Sequence, residues 1–343
     1  MKTKLLGSAA AFIVATAFGA ASAEATTFGY TGSVQTFDVT QTAEYQTVAA
    51  GAQGGTDSYS FYTFAGGYGA VLTGDVELTS GTVLNIVVGG QGGSYSTEYG
   101  CACGGGGGSF VYTSLSNPIL IAGGGGGAGE NGSVGGAGQL TTYGAAGSSV
   151  VSNGWYGGSG GTSGKGGSAG YGAGGVNAGG GGGGWLGNGA NGANAGTAVG
   201  DGGYGGSGAP AGFAGGQGAA SSGPSGLFTP VVVSGGYGGG GGGSAFSGSG
   251  GGGGYSGGGG GYAGGGGGSF YAVDVSIQSE FAGNCSGFAC GNTGNGYVTI
   301  DELYPIAATP LPSTWLMLLS GFVGLGFFAY PGAKKNAAAL VAG

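Results

Sequence analysis

The chain has 343 residues, of which 102 are Gly and 8 are Pro, with 40% hydrophobic and only 5% charged residues. That glycine content normally marks low complexity, yet disorder needs charge and low hydrophobicity, and here the mean hydropathy is +0.22, with 19 Tyr, 16 Phe and 3 Trp. Arg is absent and Lys165 alone among the lysines between Lys4 and Lys334 faces all 13 carboxylates, so no basic cluster can release phosphate counterions and nucleic acid is excluded as a partner.

Residues 1–23 open with Lys2 and Lys4, continue through an apolar stretch from Leu5 to Ala20, and end on the small residues Ala21-Ser22-Ala23. This is the layout of a secretory signal peptide, an N-terminal signal helix cut between Ala23 and Glu24. An uncleaved anchor helix is the alternative. The mature chain then begins at Glu24 outside the cytoplasm, with its domain expected over 24–305.

Within it, 28–122 and 269–304 read as strand-rich. GSVQTFDV and AEYQTVAAGAQGG show partial alternation ending in a glycine turn. GDVELTSGTVLNIVVGGQGG carries two β-branched runs around Ser80-Gly81, a hairpin pattern. SFVYTSLSNPILIA adds two strands joined at Ser116-Asn117-Pro118. Strand character returns at Val231–Ser234, Ser269–Ile277 and Gly296–Leu303. Between the two ends of the chain no segment has a helical period, so the fold class is mainly β.

Residues 104–268 form a polyglycine region, with unbroken runs at Gly104–Gly108, Gly123–Gly127, Gly179–Gly184, Gly238–Gly243, Gly250–Gly254, Gly257–Gly261 and Gly264–Gly268. Collagen is excluded because its glycines fall at every third position with abundant Pro. The ordered option is a bundle of polyglycine-II helices, which lack Cβ atoms and so pack closely through backbone N–H and Cα–H groups. Ordering Gly is entropically costly, so such rods need a rigid frame, for which the strands are the candidate. A flexible linker stands as the alternative over 128–230.

The tail, 306–343, places Pro310-Leu311-Pro312 before an apolar segment over 315–330, followed by Lys334 and Lys335. Proline motif, hydrophobic helix and basic stop in this order resemble the PEP-CTERM sorting signal of bacterial exported proteins, with lysines where that family has arginines. The resemblance implies processing by an exosortase-like protease and association with extracellular polysaccharide. An ordinary C-terminal membrane anchor is the other reading of 315–330, and either one makes the membrane a partner.

A second resemblance spans residues 28 to 304. The ordered set TFDVTQTAEYQTVAAGAQGG, GTVLNIVVGGQGG, GGGGGSFVYTS, NPILIAGGGGG and NGYVTI is similar to the glycine-rich domain of the anaplastic lymphoma kinase and leukocyte tyrosine kinase receptor ectodomains, which also occurs in bacterial exported proteins. It implies a β-sandwich of tumour-necrosis-factor-like type with inserted polyglycine helices, and a protein ligand. The kinase motifs V-A-I-K, H-R-D and D-F-G are all missing.

Catalytic patterns fail on inspection. With 102 Gly in 343 residues, G-x-G-x-x-G is expected about nine times by chance. The nearest P-loop, SGGTSGKGG, has Ser159 in place of its first Gly and Gly166 in place of the magnesium-binding hydroxyl. Ser159, Ser168 and Ser256 satisfy G-x-S-x-G, but the chain has no His to serve them, and a Ser-Lys pair would depend on Lys165. GENGSVGGAG and VGDGGYGG miss the calcium repeat, and Asp301-Glu302 reads as a solvated strand end. The cysteines Cys101, Cys103, Cys285 and Cys290 could form a four-thiolate metal site, but export favours disulfides: Cys285 with Cys290, and Cys101 with Cys103 or both free.

The sequence therefore predicts no enzyme, no cofactor and no metal. It predicts an exported structural or adhesive protein of the cell surface or matrix, with an extracellular protein-ligand binding module as the rival. Aromatics clustered in the open on the strands would favour the rival, and aromatics dispersed among glycine rods the first reading.

Overall fold

In a computed structural model the chain is described over residues 25–59, 62–94, 102–129, 132–172, 179–193, 202–219, 233–244, 248–283 and 291–305, with positions 320 and 322. The signal segment with Ala23 and Glu24, the tail with Pro310, Pro312, Lys334 and Lys335, and Cys101, Cys285 and Cys290 lie outside these residues. Among the described residues no helix is long and apolar enough to cross a membrane.

The strands in chain order are β1 (Thr26–Phe28), β2 (Gln35–Asp38), β3 (Ala43–Ala50), β4 (Asp57–Tyr59), β5 (Tyr62–Phe64), β6 (Val71–Leu78), β7 (Val83–Val87), β8 (Ser109–Ser114), β9 (Asn117–Ala122), β10 (Phe270–Tyr271), β11 (Ser276–Phe281) and β12 (Tyr297–Pro305). They form two antiparallel five-stranded sheets, ordered β1-β12-β3-β6-β11 and β10-β9-β8-β7-β2, plus the hairpin β4-β5. The protein is thus mainly β, with the two sheets in a sandwich-like arrangement.

Alternation explains the first sheet. In β3, Ala43, Tyr45, Thr47 and Ala49 turn inward while Glu44 and Gln46 face out; in β6, Leu72, Gly74, Val76 and Leu78 are the inward set. A side chain at Gly74 would meet Val275, just before β11, and Ile277, the β11 residue paired with it. The core between the sheets gathers Tyr45, Leu72, Val76, Leu84, Ile86, Val111, Leu120, Val298 and Ile300. At the β1–β2 side, edge-on contacts from Phe28 to Phe37 (6.3 Å) and from Phe37 to Tyr45 (6.2 Å) close the gap between the sheets.

The second sheet follows another rule. β8 and β9 carry consecutive apolar residues, Phe110–Tyr112 and Ile119–Ala122, because both of their faces are buried: Val111, Leu120 and Ala122 point into the sandwich, and Phe110, Tyr112 and Ile121 point away from it into a second core.

Three sequence expectations change. Ser80-Gly81 does not close a hairpin: β6 and β7 lie in different sheets, and the turn, with Gly81 at φ +86°, carries the chain from one layer to the other. The segment 269–277 is not one strand but two, β10 in one sheet and the start of β11 in the other. Val233 and Ser234 form no strand; their carbonyls accept from Gly243 and Gly93 within the glycine-rich part.

Strand direction organises the rest. β3, β7 and β9 run directly into Gly51, Val88-Gly89 and Gly123, while the runs ending at Gly108 and Gly268 feed β8 and β10. These junctions gather at one end of the sandwich. β12 starts there, Tyr297 beside Ala50, and runs the opposite way to Pro305 beside Ala43.

Candidate functional site

Beyond the strand ends the glycine segments form a hydrogen-bonded array. The N–H groups of Gly104 and Gly107 donate to the carbonyls of Gly93 and Gly90, both at 3.0 Å. Those of Gly105 and Gly108 donate to Gly241 and Gly238, both at 2.9 Å, and Gly106 N–H donates to Gly125. Residues three apart therefore address the same neighbour, so the segment turns once every three residues. The run 250–254 repeats this: Gly250 and Gly253 donate to Cys103 and Gly106, and Gly251 and Gly254 to Gly180 and Gly183. In the first case the partner number falls as the donor number rises, so the neighbours are antiparallel; in the second both rise and they are parallel.

The spacing leaves no room for side chains. A Cβ on Gly105, Gly181 or Gly258 would fall inside the carbonyls of Gly251, Gly167 or Gly265, so the Cα–H groups point at those oxygens instead. The array also recruits segments outside 104–268: Ala52 donates to Gly107, Gly67 to Gly126, and Gly92 to Gln53.

Buried serines end the segments. Ser109 Oγ accepts from Gly89 N–H at 3.0 Å and donates to the Ala50 carbonyl at 2.6 Å. Ser269 Oγ accepts from Gly123 N–H at 3.0 Å and donates to the Gln139 carbonyl at 2.6 Å. Both are the sixth residue of the same heptad, Gly-Gly-Gly-Gly-Gly-Ser-Phe, at 104–110 and 264–270, and the strands that follow, β8 and β10, flank β9. Ser249, Ser244 and Ser256, all buried, make comparable bonds to Ala128, Gly248 and Gly164. The serine hydroxyl meets backbone groups where threefold geometry passes into strand geometry and neither pattern satisfies them. The repeated heptad is the sequence signal for these positions.

An aromatic layer fastens the array to the sandwich. Phe110 stacks on Trp185 at 5.9 Å and meets Phe213 at 4.8 Å; Tyr112 meets Trp185 edge-on at 5.2 Å; Tyr255 stacks on Phe270 at 4.6 Å. Trp185 Nε1 donates to the Leu115 carbonyl at 3.1 Å. Phe213 sits at φ 64°, a left-handed conformation that costs a bulky residue about 1–3 kcal/mol. It is held there by its ring contacts and by its carbonyl, which accepts from Gly238 and Gly239 at 2.8 and 3.1 Å. Burial, and then the neighbouring Tyr237, pushes the Tyr112 hydroxyl above its ordinary pKa; burial followed by Tyr30 does the same to Tyr237.

The residues of the catalytic patterns have backbone duties. Ser256 caps Gly164, and the Ser168 carbonyl accepts from Gly260. Lys165 is exposed at a turn in which its N–H donates to Thr162, and its carbonyl accepts from Gly257. Over the described residues 166–172 no helix follows that turn, so the anion-binding helix N-terminus that a P-loop needs is missing there. Glu302 is not simply a solvated strand end: it accepts from Gln41 Nε2 at 2.6 Å and from the Tyr45 hydroxyl at 3.4 Å. The Tyr45 pKa is raised by burial first and by the Glu302 charge second. Cys103 is fully buried and disulfide-bonded, its carbonyl serving the array through Gly250. Among the described residues no group of three or more His, Cys, Asp or Glu is placed to hold a metal ion.

The outer face of the first sheet is polar. Register puts Asp301, Gln46 and Asp75 in one row across β12, β3 and β6, with Glu44 and Glu77 in another, and Gln46 Nε2 donates to Asp75 at 3.1 Å. No protein-family model and no curated protein matches this chain.

Proposed function

We propose that this is an exported, non-enzymatic protein of the cell surface or extracellular matrix, structural or adhesive in role. In this reading its glycine segments are polyglycine-II helices framed by a sandwich of tumour-necrosis-factor-like type. The supporting observation is the placement of the aromatics. Trp185, Phe213, Tyr237 and Tyr255 come from the glycine-rich region and are packed against the second sheet, whereas a protein-binding module concentrates such side chains at an exposed contact surface. The signal-type segment 1–23 and the tail, with its Pro310 and Pro312, the segment 315–330 and the Lys334-Lys335 stop, supply export and sorting in this reading. The sorting protease, the membrane and an extracellular polysaccharide are the partners it implies.

Fractionation of cells producing the full chain, with and without polysaccharide synthesis, tests it. The expected result is a protein beginning at Glu24 in the envelope or extracellular fraction. Recovery of Met1 from a soluble cytoplasmic pool overturns it.

A second reading, the protein-ligand binding module, draws on the polar outer face of the first sheet. A protein ligand captured by the wild type and lost on combined Asp75→Lys and Asp301→Lys substitution would favour it.

A further inference from the structure

Tyr156 and Tyr171 face each other across an isolated antiparallel bridge, each N–H donating to the other's carbonyl, at 2.8 and 2.9 Å. This directly opposed pairing puts both side chains on one side of the bridge. Their rings stack with centroids 4.8 Å apart and planes 16° from parallel. Both are open to solvent, at 37% and 53% exposure. Among contacts between described residues this is the one ring pair made of two tyrosines. Tyr45, Tyr112, Tyr237 and Tyr255 meet Phe or Trp, and the exposed Tyr143, Tyr271 and Tyr304 touch no other ring.

We propose that Tyr156 and Tyr171 are an oxidative cross-linking site, at which a one-electron oxidant driven by hydrogen peroxide joins the two phenols into a biphenol. Each phenol gives up one electron and its hydroxyl proton and becomes a phenoxyl radical, with spin on the ring carbons ortho to oxygen. The two radicals combine by forming one C–C bond between ortho carbons. Each of those carbons then loses its hydrogen as a proton while the oxygen regains one, restoring both aromatic rings. The net loss is two electrons and two protons, which convert one hydrogen peroxide to two waters. Stacking supplies the proximity that separate chains find only by collision, and exposure lets the oxidant reach the hydroxyls. The bond would close the loop 157–170, which carries two array segments on either side of the Ser163-Gly164 turn.

The charge distribution provides the assay. Lys165 is the sole Lys or Arg between Lys4 and Lys334 and lies inside that loop. The purified full chain is treated at low concentration with hydrogen peroxide and a haem peroxidase, then reduced, denatured and digested with trypsin. The untreated chain parts at Lys165 into two fragments. The oxidised chain is expected to stay joined, with a linked peptide containing Tyr156 and Tyr171 that has lost two hydrogens. Tyr156→Phe and Tyr171→Phe, which keep the stacked rings, lose the joined species to background, while Tyr143→Phe leaves its yield unchanged. An oxidised wild type that still parts at Lys165, or a Tyr171→Phe chain that stays joined, overturns the proposal.

Discussion

Ser109 and Gly89 meet at the seam between sandwich and array, where the fully buried serine hydroxyl accepts the glycine N–H at 3.0 Å. Ser109→Ala leaves that N–H buried without an acceptor and removes the bond to Ala50. Each orphaned group costs about 1–3 kcal/mol, so the variant should lose about 2–6 kcal/mol in denaturant unfolding. The exposed Ser33→Ala should stay within about 0.5 kcal/mol.

Gly181 and Gly187 lie close in the chain and should respond oppositely to a methyl group. A Cβ at 181 collides with the Gly167 carbonyl, whereas one at 187 meets nothing within 4 Å. Gly181→Ala, and more so Gly181→Val, must push two segments apart and break their hydrogen bonds, at a cost of about 3 kcal/mol or more. Gly187→Ala should be within about 0.5 kcal/mol of wild type. Denaturant midpoints together with amide exchange over 179–184 decide this; an unchanged midpoint for Gly181→Val with fast exchange there refutes the array.

Phe213→Ala should cost about 3–5 kcal/mol through loss of the ring from the aromatic layer. Phe213→Gly should be at least as stable as Phe213→Ala, because φ 64° suits Gly and strains Ala. Paired thermal scans of the two variants give the order.

Tyr45, Tyr112 and Tyr237 have pKa values raised above 10.0 in the folded state. The folded protein therefore holds these protons more tightly than the unfolded chain. Their contribution is fully present below pH 10 and is lost as pH rises through the folded values. Stability should fall with alkalinity from about pH 10 upward, and Tyr45→Phe should flatten part of that fall. Unfolding curves across that range measure the slope.

Cys103 should resist alkylation in the oxidised protein and react only after reduction and unfolding, as mass spectrometry of the labelled chain would record. Reduction should lower stability by about 2–5 kcal/mol. The peptide released with Cys103 identifies its partner.

Much of the sandwich was legible because its strands obey rules that a sequence displays. β3 alternates, and β8 and β9 each carry consecutive apolar residues on either side of a turn at Ser116. The β6–β7 connection was misread because Ser80-Gly81 is a tight turn in either case, and whether the strands it joins pair or part depends on the opposite layer. The strand expected over Val231–Ser234 is not formed at its described residues, Val233 and Ser234, because the glycine contacts that claim their carbonyls outweigh the β-branched run. β4 and β5 were missed, being three residues each, too short for a pattern. The serine caps were hidden for another reason: composition draws attention to the glycines, and the Ser that ends each glycine run looks like one more small residue. Which segments of the array touch could not be read, since identical residues carry no register.

The direction of β12 has a geometric consequence. Its nine residues at ~3.3 Å each carry the chain about 30 Å away from the seam before residue 306. Any tether carried by the following residues grips the domain at its proximal end and holds the glycine array outermost. The ends of that array farthest from the seam would then be the first part of the protein that an approaching cell or polymer encounters.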